Sequence, residues 1–274
     1  MGEDLARSLA LLLAVAVALA AVPAAAQEPV TAIEALQDGP ILALASDGNT
    51  LWVGTSRGRL VRIDKGDLSL DDTTERFRLP RQDSITGFFI DGDVLWIATN
   101  HNTWLAKPFR RTGESLDPRT AGGFLKRWLA IHDDLAHRCG KSSLMTFLDD
   151  REFAWLGYFK GSVYRYEKRT GRCTEVFRPP SIHEWATTLA GDARFVYIGT
   201  RGAGLLVVGR DALAAVPLTV AHHPLLARNK TIESLAVDDE RVWLGTANGL
   251  VAIRKSWLAQ RVPGPRSSPT SPAR

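Results

Sequence analysis

Three carboxylates, Asp83, Glu184 and Glu233, are the residues of this chain best placed to do acid–base chemistry. Two carboxylates about 5–10 Å apart would serve as acid and base, or as acid and nucleophile, in glycoside hydrolysis. Nothing in their local sequence separates them from solvated loop acids. The histidines offer no metal site: His222 and His223 are adjacent, so their side chains diverge on an extended chain, and no H-x-x-E-H or C-x-x-C occurs. A nucleophile elbow, a Walker loop and a dinucleotide fingerprint are all missing, so no cofactor is implied. Cys139 and Cys173 make an even pair, which favours a disulfide in an oxidising compartment. The register of the sequence repeat argues against one, placing them at opposite faces unless the insertion wraps around the rim.

These residues are set on a repeat. "LWVGTSRG" (51–58) breaks an apolar run with Gly-Thr and a later Gly, and the pattern returns four times. Its aromatic column is Trp52, Trp96, Trp155, Tyr197 and Trp243, at spacings of 44, 59, 42 and 46 residues. A period in the forties made of short strands is the mark of propeller blades, not of helical arrays. Each unit reads as four strands: an apolar run, the Trp strand, a third strand after a Gly-bearing turn, and an outer strand. The outer strands are read at 75–80, 173–179 and 214–220. Repeat cores lie near 41–64, 85–108, 144–167, 185–209 and 232–254.

The expected fold is therefore all-β, a β-propeller of five blades with four antiparallel strands each. The aromatic residue fills the wedge between blades, and Gly two residues on lets the neighbour approach. Gly58 stands where the turn needs positive φ, and Asn102 holds that place in the second unit. The spare segment 29–38 is expected to pair with the last blade and close the ring through both termini; the rival is that 257–262 completes it. The stretch 107–143 leaves the pattern, and reads equally as a helix, a strand with a long loop, or a degenerate blade.

On this register, the turns between second and third strands share one face with the loops that enter each blade. Arg57, His101, Lys160, Arg201 and Asn248 come from the turns. Arg81, Asp83, Lys141, His183, Glu184, Trp185, His222, His223 and Lys230 come from the loops. The best ligand-binding candidates are Arg57, His101, Lys160, His183, Trp185 and Arg201. Cationic groups beside a flat aromatic surface suit an anion or a glycan, although solvated turns have the same composition.

The pattern D-G-x-L-W-x-G-T-x-x-G-L resembles the short repeat of the two-component-regulator propeller family. Trp52-Val53-Gly54-Thr55 and Trp243-Leu244-Gly245-Thr246 match it best, while Ala98 replaces Gly and Tyr158 replaces Thr in two units. That family occurs in the extracytoplasmic sensor portions of bacterial hybrid histidine kinases and in stand-alone exported proteins. The resemblance covers about Ile41 to Arg254 and implies blades, not a reaction. It points to a non-catalytic module that senses a ligand or scaffolds an envelope protein. A carbohydrate-active enzyme using Asp83, Glu184 or Glu233 near the central channel is the alternative.

The ends of the chain agree with export. Leu9–Val22 is uncharged, and Ala24 and Ala26 supply the small residues before Gln27, so 1–26 reads as a signal peptide. An uncleaved anchor is the rival, since Glu3 and Asp4 offset Arg7. The domain is then 27–262, followed by a Pro/Ser-rich tail, 263–274, expected to be disordered. Loss of the leader raises the formal charge from +4 to +5. That surplus is spread thinly, with no Lys/Arg run to follow phosphates, so nucleic acid is not an expected partner. No membrane span is expected after cleavage, and the product should be periplasmic or secreted.

Overall fold

Each aromatic-column residue lies on the second strand of an antiparallel sheet. The computed structural model describes residues 28–33, 36, 39–77, 79, 83–91, 94–100, 104–108, 134–140, 143–150, 152–210, 216–218 and 223–262. The expected signal peptide, the tail, Asn102 and most of the 107–143 insertion lie outside them. After β1 (Val30–Ile33), the first sheet contains β2 (Ile41–Asp47), β3 (Thr50–Thr55), β4 (Leu60–Asp64) and β5 (Leu70–Asp72). The second contains β6 (Ile85–Asp91), β7 (Val94–Thr99) and β8 (Trp104–Pro108). The third contains β9 (Leu144–Asp149), β10 (Phe153–Tyr158), β11 (Val163–Glu167) and β12 (Arg172–Phe177). The fourth contains β13 (Ala186–Gly191), β14 (Phe195–Thr200), β15 (Leu205–Gly209) and β16 (Val216–Leu218). In the fifth, β17 (Ile232–Val237), β18 (Arg241–Thr246) and β19 (Gly249–Arg254) are joined at the edge by β1.

The first strands stand side by side in the order β9, β13, β17, β2, β6, so successive sheets pack face to face. Middle strands are consequently buried on both faces and read as nearly continuous apolar runs. Trp52 faces the second sheet with Ile85 and Leu95, and Trp243 faces the first with Ile41 and Leu51. The glycines do what the spacing requires of them. A Cβ on Gly245 would stand 2.6 Å from the Ile41 carbonyl, and one on Gly54 would stand 2.4 Å from the Ile85 side chain.

Two edges differ from the sequence reading or decide it. The first outer strand is Leu70–Asp72, not 75–80. The chain turns after Thr73, whose N–H and hydroxyl both donate to the Leu60 carbonyl, and Phe77 drops edge-on against Trp52 at 5.8 Å. That apolar contact takes the side chain an outer strand would have left in water. At the other end β1 pairs with β19, Val30 opposite Ile253 and Ile33 opposite Leu250. Residues 257–262 do not form a strand. Residues 257–259 end a short helix, α2, that follows α1 (Pro224–Arg228), and 260–262 turn away from it; α2 spans Lys255–Ala259 and buries Trp257 and Leu258. Among the described residues, no helix is long and apolar enough to cross a membrane.

At the end of the sheets where first and second strands join, a carboxylate recurs five residues before the aromatic. Asp150, Asp192 and Asp238 each accept backbone N–H groups two and three residues on. Each also meets a cation that follows the third strand of the next sheet. Lys65 stands 3.4 Å from Asp238, Lys255 stands 2.7 Å from Asp192, and Arg210 pairs with Asp150. Burial pushes these carboxyl pKa values up. The hydrogen bonds and the facing cation outweigh it, and each ends below its ordinary 3.8. Their stabilisation is therefore complete above pH 3.8 and is lost as the pH falls through the lower folded values. Urea midpoints are expected to drop in that acid window, and Asp238→Asn should shrink the drop; an unchanged acid limb would contradict this account.

Candidate functional site

The opposite end of the sheets carries the turns and entry loops picked out in the sequence. A threonine hydroxyl closes these turns. Thr55 Oγ1 accepts from the N–H groups of Arg57 and Arg59, Thr200 Oγ1 donates to the Gly204 carbonyl, and Thr246 Oγ1 donates to Gly249. Loops entering the next sheet then clasp the turn from outside. Ser84 Oγ donates to the Ser56 carbonyl at 2.7 Å, and the Lys230 carbonyl accepts from Gly202 and Gly204. Gly58 has φ +77°, and a Cβ there would stand 2.6 Å from the Asp83 carbonyl. The turn backbone is thus fixed, and the side chains at its tip project into water.

Three of the expected residues come together across the seam of the third and fourth sheets. Lys160 Nζ stands 5.2 Å from the Phe159 ring centroid. Phe159 meets Trp185 in an edge-type contact at 5.2 Å, and the Arg201 guanidinium lies over Trp185 at 5.1 Å. The result is a ladder of cation, ring, ring and cation. Trp185 does not offer the flat open surface expected of it. It is 7% exposed, with Arg201 over its ring and Phe159 in edge-type contact with it. The exposed apolar surface belongs to Phe159, at 38%, and to Ile182, at 58%.

Phe159 was not picked out from the sequence. The signal was a large apolar residue in a turn where the first unit has Ser56 and the fifth has Ala247. Lys160 has φ +51°, a left-handed conformation that costs a non-glycine residue about 1–2 kcal/mol. The turn holds it there nonetheless, with Gly161 N–H bonded to the Tyr158 carbonyl.

Other candidates lie elsewhere. Arg57 is exposed on the first sheet's turn, away from the ladder, and His183 is exposed in the loop that carries Trp185. His223 caps α1 through Nδ1, packs on Trp257 and has Glu28 4.0 Å away, which is a structural role. Asn248 bonds Asn229 beneath its own turn. Asp83, Glu184 and Glu233 are half-buried at the starts of the second, fourth and fifth sheets. His101, Arg81, Lys141 and His222 lie outside the described residues. Among those described, no group of three His, Cys, Asp or Glu side chains is placed to hold a metal ion.

A polar pocket of about 390 Å³ opens at the far end of the sheets, lined by Asn49, Lys65, Asp238 and Arg241. The Lys65–Asp238 ion pair is part of its lining. The same pairing recurs at two other seams, which marks it as part of the repeat.

The structure also joins Cys139 to Cys173, with Cα atoms 5.7 Å apart. Cys173 is the second residue of the outer strand β12, far from the entry loop in which register alone puts Cys139. The segment 134–140 crosses the face of the third sheet to reach it, burying Leu135 beside Leu144 and Leu156. Tyr158 explains its own departure from the Thr of other units. Its ring lies under Gly140, and its hydroxyl accepts the Cys139 N–H at 3.2 Å.

No protein-family model matches the chain, and neither does any curated protein. Among solved structures it is similar to YCF48 bound to D1 peptide, at 9% identity and TM-score 0.51, over 85% of this chain and 97% of that one. The likeness is one of fold, and YCF48 is a β-propeller. Looser similarity links it to the extracellular domain of the hybrid two-component system BT3049 from B. thetaiotaomicron. There the identity is 13% and the TM-score 0.30, over 78% of this chain and 26% of that one. The computationally designed Ika8 protein matches at 14% identity and TM-score 0.28, over 78% of this chain and 70% of its own.

Proposed function

We propose that this chain is an exported five-bladed β-propeller of the two-component-regulator type, closed by β1 on its last blade, and that it works as a non-catalytic binding module. The observation that carries the reading is the Lys160–Phe159–Trp185–Arg201 ladder on the turn-bearing face. A polar, charged tip on a rigid turn is how a propeller presents a recognition surface, and fold alone would supply no reaction. The pairing of β1 with β19 supports closure, because it covers the edge that the last sheet would otherwise expose. The disulfide suits an oxidising compartment outside the cytosol. The fold likeness to YCF48, which is bound to a D1 peptide, makes a protein or peptide partner the favoured class.

The test is capture of partners from an envelope extract by the purified mature protein. Lys160→Ala combined with Arg201→Ala is expected to reduce capture by about tenfold or more, since each cation would lose its contact to the ligand. Arg57→Ala, at the matching turn of the first sheet, should leave capture unchanged. Capture that ignores the ladder while the variants still melt like the parent would move the site off this face.

A further inference from the structure

We infer that the ladder is read by an extended acidic peptide with a carboxylate toward each end and an apolar side chain between them; this rests on the proposal that the turn-bearing face is the binding surface.

Ligand chemistry follows from what the ladder leaves open. A sugar stacks on a bare aromatic face, but Arg201 lies over Trp185 and Lys160 over Phe159. Both rings therefore serve to position cations. Among the described residues neither Lys160 nor Arg201 is ion-paired, unlike Lys65, Arg210 and Lys255 at the far end. Glu184 shares the loop with Trp185 and packs its stem on Gly202, next to Arg201, yet among the described residues it forms no ion pair with either cation. Two uncommitted positive charges on this rim are complementary to two carboxylates.

Spacing narrows the class further. The successive steps from Lys160 to Arg201 are 5.2, 5.2 and 5.1 Å. Those steps set an upper limit on the separation of the two cations, and a strand advancing ~3.3 Å per residue reaches across that limit in about five residues. Between the cations lies the apolar surface of Phe159, which a leucine-like side chain would cover and a phosphate chain would not. Lys160 adds a second observation, for its left-handed backbone is a strain that the turn could shed by having glycine there.

The test uses the mature protein and capped pentapeptides carrying a neutral fluorophore, read by anisotropy. The probes are Asp-Gly-Leu-Gly-Asp, its amide counterpart Asn-Gly-Leu-Gly-Asn, and Asp-Gly-Gly-Gly-Asp. The first is expected to bind, and each of the others to bind at least about tenfold more weakly, with added salt weakening the first. Lys160→Gly is the decisive variant, because glycine suits φ +51° and the protein should melt no lower than the parent. It is nonetheless expected to bind the acidic peptide about tenfold more weakly. Equal binding of the amide peptide, no binding of the acidic one, or full binding by Lys160→Gly would overturn the inference. Ladder-dependent capture from envelope extract alongside silent peptides would overturn the peptide class alone; ladder-independent capture would overturn the face as well.

Discussion

Trp243→Ala is expected to cost about 3–5 kcal/mol in equilibrium urea unfolding, the range for deleting a fully buried tryptophan. The side chain is 0% exposed and fills the wedge between the fifth and first sheets, among Ile33, Leu36, Ile41 and Leu51. Little can collapse into the space it leaves, because Gly245 already brings Ile41 as close as backbone contact allows. A polar loss adds to the cavity. The indole N–H donates to Asp238 Oδ2 at 2.7 Å, so the truncated protein keeps a half-buried carboxylate with one partner fewer. Ile182→Ala is the matched control: this residue is 58% exposed, and its loss should fall within about 0.5 kcal/mol of zero. A Trp243→Ala protein as stable as that control would mean the aromatic column does not hold the sheets together.

The column was legible because a buried seam leaves a local signature, an aromatic residue and a glycine two positions apart on one strand. Seam chemistry at the far end was not, although Asp150, Asp192 and Asp238 stand plainly in the sequence. Their partners come from the next sheet, and Arg210 is 60 residues from Asp150. Only the packing order reveals such pairs. The sequence shows a Gly-Thr pair in three of the five units, whereas the threonine hydroxyl organises the turn through bonds no spacing announces. The same limit applies to the candidate site. Lys160, Trp185 and Arg201 could be placed on one face by register, but which rings the cations would cover depended on Phe159. The outer strand at 75–80 failed for a related reason. Phe77 and Leu79 look like strand residues, and tertiary contact with Trp52 is what claims Phe77 for a turn.

Reduction of the Cys139–Cys173 bridge is expected to lower stability by up to about 4 kcal/mol, the loop-closure entropy of a crosslink spanning 34 residues. The loop it closes contains β9, β10 and β11, so an intact bridge limits the unfolded chain over most of the third sheet. Native contacts argue against total collapse on reduction. Leu135 stays buried beside Leu144 and Leu156, and the Tyr158 hydroxyl still accepts the Cys139 N–H. The reduced protein should therefore remain folded near neutral pH and unfold at a lower urea concentration. Cys139→Ser with Cys173→Ser should match the reduced parent, because both remove the same constraint from the unfolded chain. Hydrogen exchange separates this account from a local one. If the bridge acts through chain entropy, protection falls across the core strands by similar free energies; if it merely pins 134–140, the loss stays within that segment and the urea midpoint does not move.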